Sequence, residues 1–255
     1  MRRTWIAAAA AVLVLALFAA GITLSSRRGL GAVMRCGDYS LDNTGFSYYY
    51  WSEYFYFSDA YGDYLADTVD FSRPLAEQAY SADQSWEDYL VEETLNSVRD
   101  TMVMVFEAEA AGFALPTDYE ATYRQVLVDF ASAAQAQGYS DLNAYLQASY
   151  GRLANEESFS AYLYDSHLAS AYADHLLAQL QPTDEEVRTY FSLHRGSYVE
   201  EEGFDPEDET QWLEAVRTDL INDTYQNLFL SLRDKYTFSV NRSAIVLTVP
   251  ENLYP

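Results

Sequence analysis

Two histidines of one predicted helix are the first residues of this sequence whose spacing suggests metal binding or catalysis. His167 and His175 lie eight positions apart, so a helix could bring both to one face, near Asp165 and Asp174. Helical zinc ligands instead recur at positions i and i+4, and that spacing is absent here. Ordinary surface histidines are therefore the favoured interpretation, and no metal site is predicted.

Other catalytic signatures are also missing from the sequence. It contains no GxSxG, HExxH, phosphate-binding or dinucleotide-binding glycine motif, so neither a catalytic residue nor a cofactor is predicted. Cys36 is the only cysteine, which excludes an internal disulfide and a cysteine-rich zinc site and favours packing within a strand. The acidic stretch 200–208 could bind calcium loosely, but it lacks the ligand order of an EF-hand, and a solvated linker is favoured.

The charge of the chain limits the partners that it can have. It carries 39 acidic and 15 basic residues, a net charge of −24, and the first acid is Asp38. The electrostatic field of this negative charge repels phosphate backbones and anionic lipid headgroups. We therefore expect no nucleic-acid partner and no lipid contact by the folded part.

The amino-terminal residues 1–28 have the composition of a targeting or membrane-spanning segment. After two arginines, Trp5–Leu24 forms an uncharged stretch of 20 residues. As a helix it would span about 30 Å, the thickness of the hydrocarbon core of a bilayer. Trp5 and Arg27 suit the two interfaces, which favours an uncleaved single-pass anchor over a signal peptide cleaved near Ala19–Gly21. Either alternative exports the remaining chain, so an extracytoplasmic location at the cell membrane is expected.

The remaining sequence predicts a mainly α-helical domain with short terminal β-strands. Apolar residues recur with helical spacing over 46–65, 86–111, 117–138, 140–150, 156–180, 182–194 and 212–236. Strands are predicted at 33–39, 237–240 and 244–249. Ser85 and Ser140 are predicted as helix caps, and capping boxes are predicted at Thr117 with Glu120 and at Thr183 with Glu186.

The order of these elements resembles the amino-terminal chaperone domain of the SurA/PrsA family of extracytoplasmic foldases. Val33–Tyr39 followed by Asn43–Tyr50 is similar to the opening strand and first helix of that family. Thr183–Phe191 resembles the helix that precedes its isomerase module, and Trp212–Tyr236 resembles its returning carboxy-terminal helix. The resemblance covers residues 33–249 and implies a multi-helix domain of the SurA amino-terminal type.

The sequence departs from the family where the isomerase should be. Family isomerases insert a parvulin domain of roughly a hundred residues, the size of a small domain, between the last two helices. Here a predicted loop, Tyr198–Gln211, supplies only fourteen residues, too few for a globular catalytic module. The resemblance therefore implies a client-holding domain without proline isomerase activity.

An aromatic run in the first predicted helix supplies the candidate binding residues. Core packing explains its main stripe, which consists of Phe46, Tyr50, Tyr54, Phe57, Tyr61 and Leu65. The aromatic side chains of the run nevertheless fall on more than one helical face, and a single core contact cannot bury them all. Those left exposed would suit varied unfolded segments, and the surrounding acids would favour basic ones. The predicted client-binding residues are Tyr48, Tyr49, Trp51, Tyr54, Phe55 and Tyr56.

These observations lead to one main hypothesis and two alternatives. The main hypothesis is a membrane-anchored, ATP-independent chaperone-like protein that holds exported unfolded polypeptides. The first alternative is an envelope interaction module with one fixed partner. The second is a residual peptidyl-prolyl isomerase.

Overall fold

The chain folds into a mainly helical structure with one small sheet. The computed structural model describes residues 31–199, 205, 208–251 and 253, so the predicted anchor in residues 1–28 lies outside the described residues. Within the described part, seven α-helices account for most of the structure, together with a three-stranded sheet. The helices found there include none with the length and apolar character needed to cross a membrane.

The helices follow the predicted apolar periodicity closely, and two single turns of 3₁₀-helix lie at Leu75–Glu77 and Arg242–Ala244. The α-helices are α1 (Asn43–Tyr61), α2 (Trp86–Ala110), α3 (Thr117–Ala136), α4 (Leu142–Tyr150), α5 (Glu156–Gln179), α6 (Asp184–Val199) and α7 (Glu209–Arg233). The strands are β1 (Met34–Cys36), β2 (Tyr39–Leu41) and β3 (Ser239–Val240).

The sheet joins the two ends of the described chain. β1 is the central strand and pairs antiparallel with β2 on one side and β3 on the other. The single strand predicted at 33–39 is in fact a hairpin, because Gly37 adopts a φ of +56°, which glycine tolerates without steric cost. Cys36 lies in β1, partly buried, as its strand-packing interpretation requires.

The strand predicted at 244–249 is absent, because a side chain occupies the place of a neighbouring strand. Asn43 donates its amide N–H to the carbonyl of Val246 at 2.7 Å, and its amide oxygen accepts the N–H of Val246, also at 2.7 Å. These bonds satisfy the backbone of Val246 without a ladder. They also fix the carboxy-terminal segment to the first turn of α1.

Side-chain caps determine where several helices begin. Ser85 and Asp88 form a reciprocal capping box at α2, and Thr183 and Glu186 form one at α6, as predicted. The capping box predicted at Thr117 is wrong, because α3 already includes Thr117 and Pro116 stands at the cap position without a side-chain bond.

The cap predicted for α4 is displaced by one residue. Asp141, rather than Ser140, accepts the N–H of Ala144 at 2.8 Å. A carboxylate is a favourable N-cap because it accepts a free N–H and meets the positive end of the helix dipole.

The core consists of two adjoining clusters that meet at α1. The first cluster unites the sheet with α1, α2 and α5; it includes Val33, Met34, Phe46, Tyr50, Trp51, Tyr54, Leu90, Leu95, Val98, Met102 and Leu168. The second cluster joins α1 to α3, α4 and α5 through Tyr48, Tyr123, Leu146, Ala154, Phe159 and Leu163. A third, smaller cluster between α6 and α7 contains Val187, Phe191, Trp212 and Val216.

The loop predicted at 198–211 is shortened by helix at both ends. α6 continues to Val199 and α7 begins at Glu209. Stacking of Phe191 on Trp212, with ring centres 4.1 Å apart, joins the two helices, and Tyr198 donates to Asp219 at 2.7 Å. The interval between the helices is therefore residues 200–208, even shorter than the sequence predicted.

Candidate functional site

The first half of α1 is buried from two sides. Tyr48, Tyr49, Trp51 and Tyr54 are only 0–7% exposed. The sequence predicts a single core contact for α1, whereas the helix enters both the first and the second cluster. Four of the six predicted client-binding residues therefore lie in the interior.

Tyr48 connects α1 to the beginning of α5. Its hydroxyl donates to the carbonyl of Asn155 at 2.8 Å and accepts the N–H of the same residue at 2.7 Å. It also lies 3.2 Å from the hydroxyl of Ser158. Burial raises the pKa of Tyr48 to about 12, so the phenol stays protonated and keeps these bonds at physiological pH. Tyr48 is thus a structural residue.

The next polar groups on α1 are less well satisfied. Among the described residues, the buried Trp51 indole N–H has no hydrogen-bond partner, and the buried Tyr49 hydroxyl has only a weak interaction with the side chain of Ser166. Burial raises the pKa of Tyr49, and the nearby carboxyl of Asp165 raises it further. The pKa of Asp165 is itself raised to about 7 by burial, with a smaller contribution from Glu109. This part of the core therefore holds polar groups at an energetic cost.

The other two predicted residues begin an exposed aromatic surface. Phe55 is 39% exposed and Tyr56 is 61% exposed. Tyr61, Tyr64 and Tyr80 are exposed as well, and Tyr64 reaches 85%. Of the aromatic side chains in the described residues, these five are the exposed ones; we call Phe55, Tyr56, Tyr61, Tyr64 and Tyr80 the aromatic strip.

Ring contacts fix much of the aromatic strip to the core. Tyr56 packs edge-on against Tyr61 with ring centres 6.4 Å apart, and Tyr61 contacts Phe57 at 5.2 Å. Tyr80 stacks on Tyr89 at 4.4 Å. A binding surface with rings held in this way loses little side-chain entropy when a ligand docks.

An open cleft lies beside the aromatic strip. Its volume is about 770 Å³, and its lining combines two rings, a hydroxyl and two carboxylates: Phe55, Tyr56, Ser58, Asp59, Gly62 and Asp63. Apolar rings with nearby acceptors can take up chains that present both apolar and hydrogen-bonding groups. The cleft therefore combines an apolar contact surface with carboxylate acceptors.

The charge around the aromatic strip is almost entirely negative. The segment from Glu53 to Glu93 contains eleven acidic residues, and Arg73 is its single basic residue. Within the described structure, Glu92, paired with Arg242, is the one acid of this segment in an ion pair. Burial raises the pKa of Glu53, and so does repulsion by Glu93. The surface therefore has an excess of uncompensated acceptors.

A second, smaller cleft of about 320 Å³ includes one of the two histidines considered above. It is lined by Asp118, Tyr119, Thr122, Ser166, His167 and Ser170. The Nδ1–H of His167 donates to the Leu163 carbonyl at 2.8 Å, whereas His175 contacts Gln179 at 2.7 Å. The two histidines have separate partners, and the described residues bring together no set of three potential metal ligands.

Sequence reasoning missed most of the aromatic strip. Tyr61 fits the helical spacing of the buried stripe and was assigned to it, and Tyr64 and Tyr80 received no role. The available signal was charge, because Asp59, Asp63 and Asp67 interrupt the aromatic pattern, whereas residues 43–52 contain no acid.

Comparison with known proteins adds no relative to this description. No family model, no curated protein and no solved structure matches the chain. The SurA/PrsA resemblance of residues 33–249 stays a prediction from the sequence.

Proposed function

We propose that the chain is a membrane-anchored, ATP-independent chaperone-like protein of the SurA amino-terminal type, which holds exported unfolded polypeptides on its aromatic strip. One observation carries this proposal: the exposed aromatic side chains of the described residues all lie between Phe55 and Tyr80 in the sequence, and two of them, Phe55 and Tyr56, line an open cleft. The other aromatic residues that the structure describes are buried or partly buried. Apolar side chains exposed together in one part of a chain are typical of an interaction site.

The contacts beneath the aromatic strip support a surface that persists without a ligand. Tyr56, Tyr61 and Tyr80 each contact another ring, so they need not collapse inward. The acids around them keep the surface hydrated and make copies of the chain repel one another. A holding surface needs both properties, because it must stay open and must not self-associate.

In this proposal the amino-terminal segment holds the protein at the membrane. An anchor formed by Trp5–Leu24 would keep the domain at the membrane surface where exported chains emerge. The short interval 200–208 between α6 and α7 provides no room for a parvulin domain, so holding rather than isomerisation is the proposed activity.

An aggregation assay tests the holding activity. The full-length chain, reconstituted in nanodiscs, is added to a chemically denatured model client at several molar ratios, and light scattering is followed. We expect scattering to fall as the ratio rises, without ATP, while empty nanodiscs have no effect. Unchanged scattering at a several-fold excess of the chain would contradict the proposal.

Two further readouts separate the alternatives. A photo-crosslinker at Tyr56 should capture many different segments of denatured clients if the chain is a holdase. Capture of a single polypeptide in a one-to-one complex, with no effect on aggregation, would instead indicate an interaction module. A proline-peptide isomerisation assay is expected to stay at the uncatalysed rate, and a measurable acceleration would restore the isomerase alternative.

A further inference from the structure

We infer that the preferred ligands of the aromatic strip are extended polypeptide segments in which lysine or arginine residues alternate with apolar residues. This inference rests on the proposed function and names the class of client that the same surface takes. It follows from three features of the surface: its charge, its exposed rings and the position of its carboxylates.

The negative charge of the surface is opposed by only two basic residues of the described chain, Arg73 and Arg242. Eleven acids and one arginine occupy the segment Glu53–Glu93, and the neighbouring helix α2 contributes Arg99 only beyond this segment. The carboxyl of Glu87 has a pKa raised by burial and by repulsion from Asp88, and that of Glu53 is raised by burial and by Glu93. A bound cation would relieve this repulsion, so charge complementarity favours a basic ligand and disfavours an acidic one.

The exposed rings offer a second contact for the same cations. The faces of aromatic rings attract ammonium and guanidinium groups, and the attraction is worth about 0.5–1 kcal/mol at exposed sites. Tyr56, Tyr61 and Tyr64 lie next to Asp59 and Asp63 in the chain, so a basic side chain can meet a ring and a carboxylate together. Apolar residues of the same ligand can pack against Phe55, which lines the cleft.

The placement of the acids favours an alternating ligand over a purely basic one. Asp59 and Asp63 line the open cleft together with the rings of Phe55 and Tyr56. A polycation would satisfy the carboxylates but leave the rings uncovered, and a purely apolar chain would bury carboxylates without a partner, which is costly. Alternation satisfies both kinds of group.

Fluorescence anisotropy with labelled peptides tests this inference. The full-length chain in nanodiscs of zwitterionic lipid is titrated with three peptides of equal length. One alternates lysine with phenylalanine, one alternates glutamate with phenylalanine, and one alternates lysine with serine. We expect the first to bind at least tenfold more tightly than either of the others, and we expect a several-fold loss of affinity between 50 mM and 500 mM salt, since screening weakens exposed charge pairs.

Charge variants test whether Asp59 and Asp63 cause the preference for basic peptides. Asp59→Asn with Asp63→Asn should weaken binding of the lysine–phenylalanine peptide several-fold. The control, Asp129→Asn with Asp234→Asn, removes the same charge from exposed positions on α3 and after α7, and it should leave the affinity within about twofold. An equal loss in both pairs, or equal binding of the lysine–phenylalanine and glutamate–phenylalanine peptides, would overturn the inference.

The aggregation assay distinguishes failure of this inference from failure of the proposed function. If a denatured client is held but the peptides show no preference for lysine, the holding function stands and the basic ligand class is wrong. If no client of any charge is held and no peptide binds, both are wrong.

Discussion

Helix α1 carries aromatic side chains along its whole length, but they are buried in its first half and mostly exposed in its second half. From Phe46 to Tyr54 its aromatic residues are buried between two clusters, whereas from Phe55 to Tyr61 several of them face solvent. Aromatic content is high in both parts, but the residues from Asn43 to Ser52 include no charge, and the later part carries Glu53 and Asp59. Aromatic density alone therefore does not distinguish a buried helix face from an exposed one, whereas the charged residues beside the rings do.

The largest expected difference between the two ends is in stability. Tyr50→Ala should lower the free energy of unfolding by about 3–5 kcal/mol, because it empties a fully enclosed site in the first cluster. Tyr56→Ala should change that free energy by no more than about 0.5 kcal/mol. Urea denaturation followed by circular dichroism measures both. Similar losses in the two variants would remove the distinction between a buried and an exposed end.

The next largest expected effect is a difference in unfolding free energy between variants of two neighbouring tyrosines in the buried end. Tyr48→Phe should cost about 2 kcal/mol, because the backbone N–H of Asn155 loses its partner inside the protein, whereas the Asn155 carbonyl still accepts the N–H of Phe159. Tyr49→Phe removes a hydroxyl whose hydrogen bonding is limited to a weak interaction with Ser166, so its effect on stability should be close to zero. The same denaturation experiment compares them, and a larger loss for Tyr49→Phe would show that their roles are reversed.

The buried end should also depend on pH through Asp165. Its folded pKa is raised to about 7, from about 3.9 in an unfolded chain, so the native state retains a proton that the unfolded state has released. The stability contributed by that proton is present below pH 4 and is lost as the pH rises through 7. Asp165→Asn should therefore stabilise the protein at pH 8 by on the order of 1 kcal/mol, allowing for the partial exposure of the side chain. Urea midpoints at pH 4.5 and 8 measure this, and an equal effect at both values would contradict it.

The smallest expected effect concerns the exposed end. Asp59→Asn with Asp63→Asn should raise stability by about 0.5 kcal/mol in low salt, because it relieves repulsion among surface carboxylates. The gain should disappear in 1 M sodium chloride, where exposed charges are screened. Thermal midpoints at both salt concentrations test it. A gain that persists at high salt would indicate a packing effect instead of a charge effect.

Much of the fold could be predicted from local sequence patterns. The apolar spacing of Trp86, Leu90 and Val98 predicted α2, and Ser85 and Thr183 predicted two helix starts, because these signals act within one or two turns. The contact of Asn43 with Val246 could not be predicted, since it joins positions 203 residues apart. A side chain that replaces a strand has no local signature.

The candidate site was only half predictable for a similar reason. Phe55 and Tyr56 were identified, but the burial of Tyr48 depends on Tyr123, Leu146 and Phe159, which belong to three other helices. Helical spacing shows that a residue lies on one face; it cannot show how many partners reach that helix. Tyr61 likewise fits the spacing of the buried stripe, although its side chain is 43% exposed while Leu65 and Val69, further along the chain, pack into the first cluster.

The proposal that the aromatic strip binds clients is tested most directly by comparing client holding by two matched double variants. Tyr56→Ser with Tyr64→Ser changes the aromatic strip, and Leu193→Ser with Leu230→Ser changes equally exposed apolar positions on α6 and α7. In the aggregation assay, we expect the first pair to lose most of the suppression while its unfolding midpoint stays unchanged, and the second pair to suppress aggregation as the parent chain does. Full suppression by the strip variant, or an equal loss in both pairs, would contradict the assignment of the aromatic strip as the client-binding surface.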